Sequence, residues 1–146
     1  MDRKTTYLVK VAVVGDTGVG KSSVSDRFAR NRFSQYAETT IGAAFLAAAV
    51  DRPQHKVKFQ IWDTAGQEGY RMIVRAYFRA AQGVLLFFDI TDRPSFEDLE
   101  IWLKELDLGR GEGGERPPVI IVGNKMDAGN ERAVGRSEAT AFAMRH

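Results

Sequence analysis

The sequence of 146 residues contains no cysteine. This absence excludes a disulfide scaffold and a cysteine-based metal site, and it fits a protein of the cytosol. A strong charge of one sign is lacking as well, because the formal net charge is only +2 and the excess is spread along the chain. Such a charge gives no argument for binding to nucleic acid. No hydrophobic run is long enough to be a candidate membrane span.

The residues that are present indicate a globular protein with a hydrophobic core. Hydrophobic residues make up 44% of the sequence and charged residues 27%, which is the balance of a globular chain. The length suits one domain that can bury a sizeable core. We therefore expect a single domain over residues 1–146.

Five short segments predict β-strands. YLVKVAVV, GVLLFFDI and VIIVGNK have the composition of buried strands. HKVKFQIWD alternates polar and apolar residues, as a half-buried strand does. AAFLAAAVD is ambiguous because alanine favours a helix, but the run is short and apolar and we predict a strand. Asp51 to Gln54 would form the hairpin turn between these last two strands.

Segments with helical character separate most of these strands. They are KSSVSDRFARN, a short segment near residues 70–80, PSFEDLEIWLKEL, and SEATAFAMR. Pro94 suits the first turn of the third helix, and Ser137 is the expected cap of the last. The alternation of strands and helices implies a largely parallel sheet with helices on both faces.

A glycine-bearing loop, GDTGVGKSS, links the first predicted strand to the first predicted helix. It matches the pattern G-x-x-x-x-G-K-[ST] of phosphate-binding loops. Gly15, Gly18 and Gly20 permit a tight turn, so the amides from Gly18 to Ser23 can point at phosphate oxygens. The helix adds the positive end of its dipole. A chance match in a glycine-bearing turn is the alternative, and the strand-to-helix context argues against it.

Two side chains at the end of this loop supply charge and a metal ligand. Lys21 places a positive charge near the β- and γ-phosphates of a nucleotide, and the Ser22 hydroxyl can bind Mg²⁺. The loop therefore predicts a nucleoside triphosphate site but does not identify the base.

The segment NKMD, Asn124 to Asp127, indicates which base is bound. The Asp127 carboxylate only accepts hydrogen bonds, and guanine presents N1–H and N2–H₂ as adjacent donors, which adenine lacks on that edge. Asn124 can serve O6 and N7 of guanine, and the stem of Lys125 can cover the ring. A solvated polar loop is the alternative, but the position after a buried strand favours a guanine site.

With WDTAGQE as a further element, the sequence resembles the small GTPases of the Ras superfamily. It resembles the Rab family most closely, and TTIGAAF at residues 39–45 is similar to the early-endosomal Rab subgroup. The resemblance covers residues 7–146. It implies a P-loop NTPase fold, which is a three-layer α/β sandwich. Its sheet would be mostly parallel with one antiparallel edge hairpin strand, and helices would cover both faces.

The resemblance implies roles for five further residues. Thr40 would bind Mg²⁺ and the γ-phosphate in the GTP state, and Asp63 would bind Mg²⁺ through water. The Gly66 amide would meet the γ-phosphate, Gln67 would orient the attacking water, and Phe33 would pack against guanine. Taken alone, Asp63 could cap a turn, Gln67 could be a solvated loop residue and Phe33 could belong to the core.

The motifs and the resemblance together predict catalytic, metal-binding, nucleotide-binding and effector-binding residues. The expected catalytic residues are Lys21 and Gln67, and the metal ligands are Ser22, Thr40 and Asp63. The expected nucleotide-binding residues are Asp16, Thr17, Gly18, Val19, Gly20, Lys21, Ser22, Ser23, Phe33, Thr40, Gly66, Asn124, Lys125 and Asp127. Phe45, Trp62 and Tyr77 match the aromatic triad with which Rab proteins engage effectors, although plain core packing is an equal alternative.

The implied function is a molecular switch that regulates vesicle traffic. It binds GTP or GDP with Mg²⁺ and hydrolyses GTP slowly, since no residue is evident as a built-in arginine finger. A GTP-binding module without turnover and a phosphate-loop kinase are the alternatives. We expect a monomer whose partners are an exchange factor, an activating protein and effectors. The resemblance places it at the cytosolic face of endosomal membranes.

The resemblance also implies elements that these residues do not include. The family continues with a strand, a guanine-contacting Ser-Ala-Lys loop, a long helix and a prenylated tail for membrane attachment. We therefore expect the chain of 146 residues to be C-terminally incomplete.

Overall fold

A computed structural model describes residues 3–31, 43–64, 71–110 and 113–146. The strands are β1 (Thr5–Gly15), β2 (Ala43–Asp51), β3 (His55–Thr64), β4 (Gly83–Asp89) and β5 (Val119–Asn124). The helices are α1 (Lys21–Arg30), α2 (Arg71–Ala80), α3 (Arg93–Glu97), α4 (Leu99–Gly109) and α5 (Arg136–Arg145). A 3₁₀ helix, Met126–Glu131, follows β5.

The five strands form one sheet in the order β2-β3-β1-β4-β5. Strand β1 pairs in parallel with both β3 and β4, and β4 pairs in parallel with β5. Among the strands of the described residues, only the edge pair of β2 and β3 is antiparallel. The Arg52 amide donates a hydrogen bond of 2.9 Å to the His55 carbonyl and closes the turn between them. The predicted fold class and the predicted hairpin are confirmed.

Each face of the sheet has its own hydrophobic cluster. Because successive strand residues point to opposite faces, Ala12 and Val14 of β1 join the larger cluster and Val13 joins the smaller one. Helices α2, α3, α4 and α5 contribute to the larger cluster, and Leu46 and Ile61 belong to the smaller one, on the face that α1 contacts. The two clusters give the sheet the three-layer arrangement that the alternation of elements predicts.

The helix predicted over residues 94–106 is divided into α3 and α4. The division falls at Asp98, whose backbone angles are φ −70° and ψ −9°. Aspartate is a poor residue for a helix interior because its side chain competes for nearby backbone groups. Pro94 lies in the first turn of α3 as expected.

The expected cap of the last helix is wrong. Gly135 is the N-cap of α5, with an extended backbone at φ −70° and ψ 148°, and Ser137 lies inside the helix. The Val134 and Ala133 amides both bond to the carbonyl of Ile90, at 3.1 and 2.8 Å. These contacts with the residue that follows β4 fix the path of the chain just before the helix, so a tertiary constraint determines where α5 begins.

No helix in the described ranges is both long enough and apolar enough to span a bilayer.

Candidate nucleotide site

The predicted nucleotide-binding segments meet at the carboxyl-terminal edge of the sheet. The phosphate loop, defined here as residues 15–22, follows β1, which lies between β3 and β4. This is the point at which the strand order reverses, where open α/β sheets bind ligands. Asp63 is the penultimate residue of β3, and Asn124 ends β5 at the same edge.

The phosphate loop needs glycine at two of its positions. Gly15 has a φ of +145°, and a Cβ atom there would lie 2.4 Å from the carbonyl oxygen of Phe87. Gly20 has a φ of +98°, and its Cβ would lie 2.1 Å from Nδ2 of Asn124. Residues other than glycine rarely adopt such φ angles. The loop is therefore packed closely against β4 and against the segment that follows β5.

Lys21 is the first residue of α1, and its side chain turns back into the phosphate loop. The residue is 6% exposed, and Nζ donates a hydrogen bond of 2.6 Å to the carbonyl oxygen of Asp16. Burial lowers the pKa of Lys21 to about 8, although the charges of Asp63 and Asp16 oppose this change. The ammonium group is thus held inside a loop of backbone amides, which is the arrangement that binds polyphosphate.

Ser22 and Asp63 come together from α1 and β3. The Ser22 hydroxyl donates a hydrogen bond to Oδ2 of Asp63. Oδ1 of Asp63 is buried and has no hydrogen-bond partner within the described part of the chain. Burial raises the pKa of this carboxyl group, while the Ser22 hydrogen bond and the charge of Lys21 lower it. A hydroxyl oxygen beside a buried carboxylate with an unpartnered oxygen fits Mg²⁺, which prefers oxygen ligands.

The NKMD segment is joined to the phosphate loop by two side chains. Nδ2 of Asn124 donates to the carbonyl oxygen of Val19 at 2.9 Å, and Nζ of Lys125 donates to that of Gly18 at 2.8 Å. Asp127 is exposed in the 3₁₀ helix. The structure therefore brings the predicted phosphate-binding and base-binding segments into direct contact.

Sequence reasoning missed a contact between the phosphate loop and α4. Nε1 of Trp102 donates a hydrogen bond of 2.8 Å to Oδ1 of Asp16. The pKa of Asp16 rises to about 7, chiefly because the group is buried and also because it lies beside the carboxyl of Asp98. Asp16 was predicted to contact nucleotide. Its contact with Trp102 could not be predicted, because the two residues lie 86 positions apart in the sequence.

Asp89, at the end of β4, was also missed. Its Oδ2 lies 2.8 Å from Nζ of Lys125. The signal in the sequence was an acidic residue that ends the otherwise apolar run GVLLFFD.

The three aromatic residues of the predicted effector triad are in contact. The rings of Phe45 and Trp62 have centroids 5.1 Å apart, and Trp62 stacks on Tyr77 at 4.8 Å. Phe45 is 49% exposed, and the other two are half-buried. The cluster lies partly at the surface, so core packing does not account for it fully.

Several predicted site residues lie outside the described residues. They are Phe33, Thr40, Gly66 and Gln67. Of the remaining phosphate-loop residues, Val19 is buried, Thr17 is exposed and Ser23 is half-buried. The assigned roles of all these residues stay predictions.

Comparison with known proteins identifies the family. The sequence profile described as "Ras family" matches residues 10–146. The chain belongs to the Ras family. The match begins within β1 and includes both the phosphate loop and the NKMD segment.

Named relatives include three plant proteins. Ras-related protein RABA1f of Arabidopsis thaliana is 46% identical over 99% of this chain and 65% of its own length. Rab11B of Nicotiana tabacum is 46% identical over 95% of this chain and 63% of its own length. RGP2 of Oryza sativa subsp. japonica is 44% identical over 98% of this chain. The resemblance to Rab proteins is confirmed. The chain spans less than two thirds of the length of these relatives. Their names do not refer to the early-endosomal subgroup, so the resemblance to that subgroup stays a prediction.

Proposed function

We propose that this Ras-family chain acts as a guanine-nucleotide-dependent switch. It binds GTP or GDP with Mg²⁺ and hydrolyses GTP slowly to GDP and phosphate. The observation that carries the proposal is the pair of hydrogen bonds from Asn124 and Lys125 to the carbonyls of Val19 and Gly18. They hold a base-recognition segment beside a phosphate loop, so one nucleotide can occupy both.

Base selection rests on Asp127 and Asn124. The Asp127 side chain is exposed at the start of the 3₁₀ helix, where its carboxylate can accept from N1–H and N2–H₂ of guanine. Asn124 ends β5 beside the phosphate loop and can serve O6 and N7. Adenine offers no matching pair of donors, so the segment favours guanine.

Phosphoryl transfer requires positioning and charge stabilisation more than covalent chemistry. Lys21 lies inside the phosphate loop and stabilises charge on the β–γ bridge. Ser22 and Asp63 would hold Mg²⁺, which would supply further positive charge at the phosphates. Gln67 orients the attacking water. An arginine from an activating protein accelerates the step by roughly 10³–10⁵.

The biological role that fits this chemistry is regulation of vesicle traffic. Thr40 and Gly66 contact the γ-phosphate, so the segments that carry them respond to hydrolysis. The aromatic triad of Phe45, Trp62 and Tyr77 is the effector surface, and its partial exposure supports this assignment. The protein acts as a monomer with an exchange factor, an activating protein and effectors. Its proposed place of action is the cytosolic face of endosomal membranes.

A single-turnover assay tests this proposal against a binding module without turnover. The chain is loaded with GTP labelled on the γ-phosphate, Mg²⁺ is added, and released phosphate is followed over time. We expect slow first-order release that a Gln67→Leu variant abolishes while it retains GTP. Retention of GTP without phosphate release by the wild-type chain would instead support the binding module.

Excess unlabelled ATP provides the control for base selection in the same assay. We expect ATP not to displace labelled GTP during loading, whereas GDP does. Displacement by excess ATP that matches displacement by GDP at the same concentration would support a phosphate-loop kinase and contradict the guanine site.

A further inference from the structure

We infer that Asp89 is a positioning residue for the guanine-binding segment, acting through Lys125. This inference rests on the proposed function, because it concerns the same site. Asp89 does not lie in any of the segments that the sequence predicts to contact nucleotide. Its role is to hold the ammonium group of Lys125 in place, and with it the join between the NKMD segment and the phosphate loop.

Asp89 lies at the edge of the sheet where the site is formed. It is the last residue of β4 and pairs in register with Asn124, the last residue of β5. The Ile90 amide donates to the carbonyl of Asn124 at 3.2 Å, which continues the pairing beyond the strand. Asp89 is 6% exposed. A buried carboxylate therefore stands directly beside the first residue of NKMD.

Hydrogen bonds to both its side chain and its backbone hold Asp89 in place. Oδ1 accepts hydrogen bonds from the amide and the hydroxyl of Thr91, at 2.8 and 2.6 Å. The backbone amide of Asp89 donates to Oγ of Ser95 at 2.9 Å. With Oδ1 occupied by Thr91, the geometry directs Oδ2 toward Lys125. Oδ1 thus binds within the local turn, and Oδ2 contacts Lys125 across the site.

Lys125 bridges Asp89 and the phosphate loop. Its Nζ lies 2.8 Å from Oδ2 of Asp89 and donates at 2.8 Å to the carbonyl of Gly18. The Lys125 backbone is left-handed, with φ 72° and ψ 39°, which is uncommon for a residue other than glycine. Side-chain contacts at the far end of the residue help to hold this conformation, which aims the next residues at the base.

The charge on Asp89 is maintained at neutral pH. Burial raises its pKa, but hydrogen bonds from Lys125 and Thr91 outweigh burial and leave the pKa below the usual value. Lys125 is 40% exposed on its side chain and Asp89 only 8%. The anchored partner is therefore the carboxylate, and the lysine is the group that gains its position from the contact.

A double-mutant cycle on GDP release tests whether Asp89 acts through Lys125. Asp89→Asn has one oxygen, which Thr91 occupies, so its amide group faces the ammonium of Lys125. We expect release of a fluorescent GDP analogue to become about 10- to 100-fold faster, as for loss of a hydrogen bond to a charged group. In a Lys125→Met background, which retains the stem without the charge, the same substitution should change release less than about twofold.

Two controls separate this role from a general loss of structure. Glu138→Gln removes a carboxylate from an exposed pair with Arg93 and should leave GDP release unchanged. The urea midpoint of Asp89→Asn should stay close to that of the wild-type chain, whereas a general loss of structure would lower it. Should Asp89→Asn fail to fold, Asp89→Glu, which retains the charge and displaces it by one methylene, replaces it in both backgrounds.

Equal fold-changes in the wild-type and Lys125→Met backgrounds would overturn this inference and leave the proposed function intact. A wild-type chain that binds GTP and GDP no better than ATP would overturn the proposed function, and the inference with it. Release that is unchanged in Asp89→Asn alone would also overturn the inference, because the contact would then have no effect on the bound nucleotide.

Discussion

The indole Nε1 of Trp102 donates a hydrogen bond of 2.8 Å to Oδ1 of Asp16, and this bond joins α4 to the phosphate loop. Trp102 is 1% exposed. The Asp16 backbone carbonyl meanwhile accepts a hydrogen bond from Lys21. Asp16 is thus linked by its side chain to the hydrophobic core and by its backbone to the ammonium group of Lys21.

Replacement of Trp102 by Phe tests the contribution of this bond to stability. The ring would still fill most of the buried volume, but Asp16 would lose its indole donor. We expect the free energy of unfolding in urea to fall by about 1–3 kcal/mol. Asp16→Asn is the matched control, since its amide oxygen can still accept from the indole. A loss as large in Asp16→Asn at pH 5 as in Trp102→Phe would contradict this explanation.

The raised pKa of Asp16 predicts a pH dependence of stability. A carboxyl group has a pKa near 3.9 in an unfolded chain, and that of Asp16 is about 7 in the folded protein. The folded state therefore binds a proton that the unfolded state has lost between these values. Its contribution to stability is complete below the unfolded pKa and is lost as the pH rises through about 7.

Asp16→Asn should remove this dependence, because the amide stays neutral at every pH. We expect the stability of the variant relative to wild type, measured in urea, to increase from pH 5 to pH 8. The other carboxyl groups cancel in the difference, apart from Asp98, which lies beside Asp16. A difference that is constant over this range would show that Asp16 does not titrate there.

Gly20→Ala tests the close packing of the phosphate loop on the NKMD segment. The new Cβ would lie 2.1 Å from Nδ2 of Asn124 and would displace it from its bond to Val19. Gly18→Ala is the matched control, because Gly18 also has a positive φ, at +82°, but has nothing within 4 Å of its Cβ position. We expect GDP release to be accelerated at least tenfold more by Gly20→Ala, about 1.4 kcal/mol. Equal release rates in the two variants would indicate backbone strain alone.

Asp127→Asn tests base recognition directly. The substitution converts a group that only accepts hydrogen bonds into one that also donates. Xanthine carries an oxygen where guanine carries its N2 amino group. We expect GDP affinity to fall by about 10-fold or more and XDP affinity to rise, as measured by competition against a fluorescent nucleotide. Equal loss of both nucleotides would mean that Asp127 does not contact that edge of the base.

The strands, the phosphate loop and the NKMD segment could be predicted because their signals are local. Apolar runs such as GVLLFFD identify strands, and the order of strands and helices then requires a mostly parallel sheet. The phosphate loop and NKMD were each recognisable within a few residues. Their meeting at one edge of the sheet follows from the rule that the carboxyl ends of parallel strands lie together.

The remaining contacts depend on tertiary structure and have no local signal. Trp102 has the spacing of a core residue, and nothing in its neighbourhood indicates a bond to Asp16, 86 positions earlier. In the sequence, Asp89 has the position of a polar residue at the end of a strand. Its partner Lys125 is brought beside it only by the pairing of β4 with β5. Ser137 had the right residue type for a cap, but contacts to Ile90 determine where α5 begins.

Identification of the nucleotide that the protein retains is the most direct test of the proposed guanine site. The purified chain is incubated with equal amounts of GDP and ADP in the presence of Mg²⁺, separated from free nucleotide and denatured. The released nucleotide is then identified by chromatography. We expect close to one GDP per chain and no ADP. Equal amounts of the two nucleotides, or an excess of ADP, would contradict the guanine site and the switch built on it.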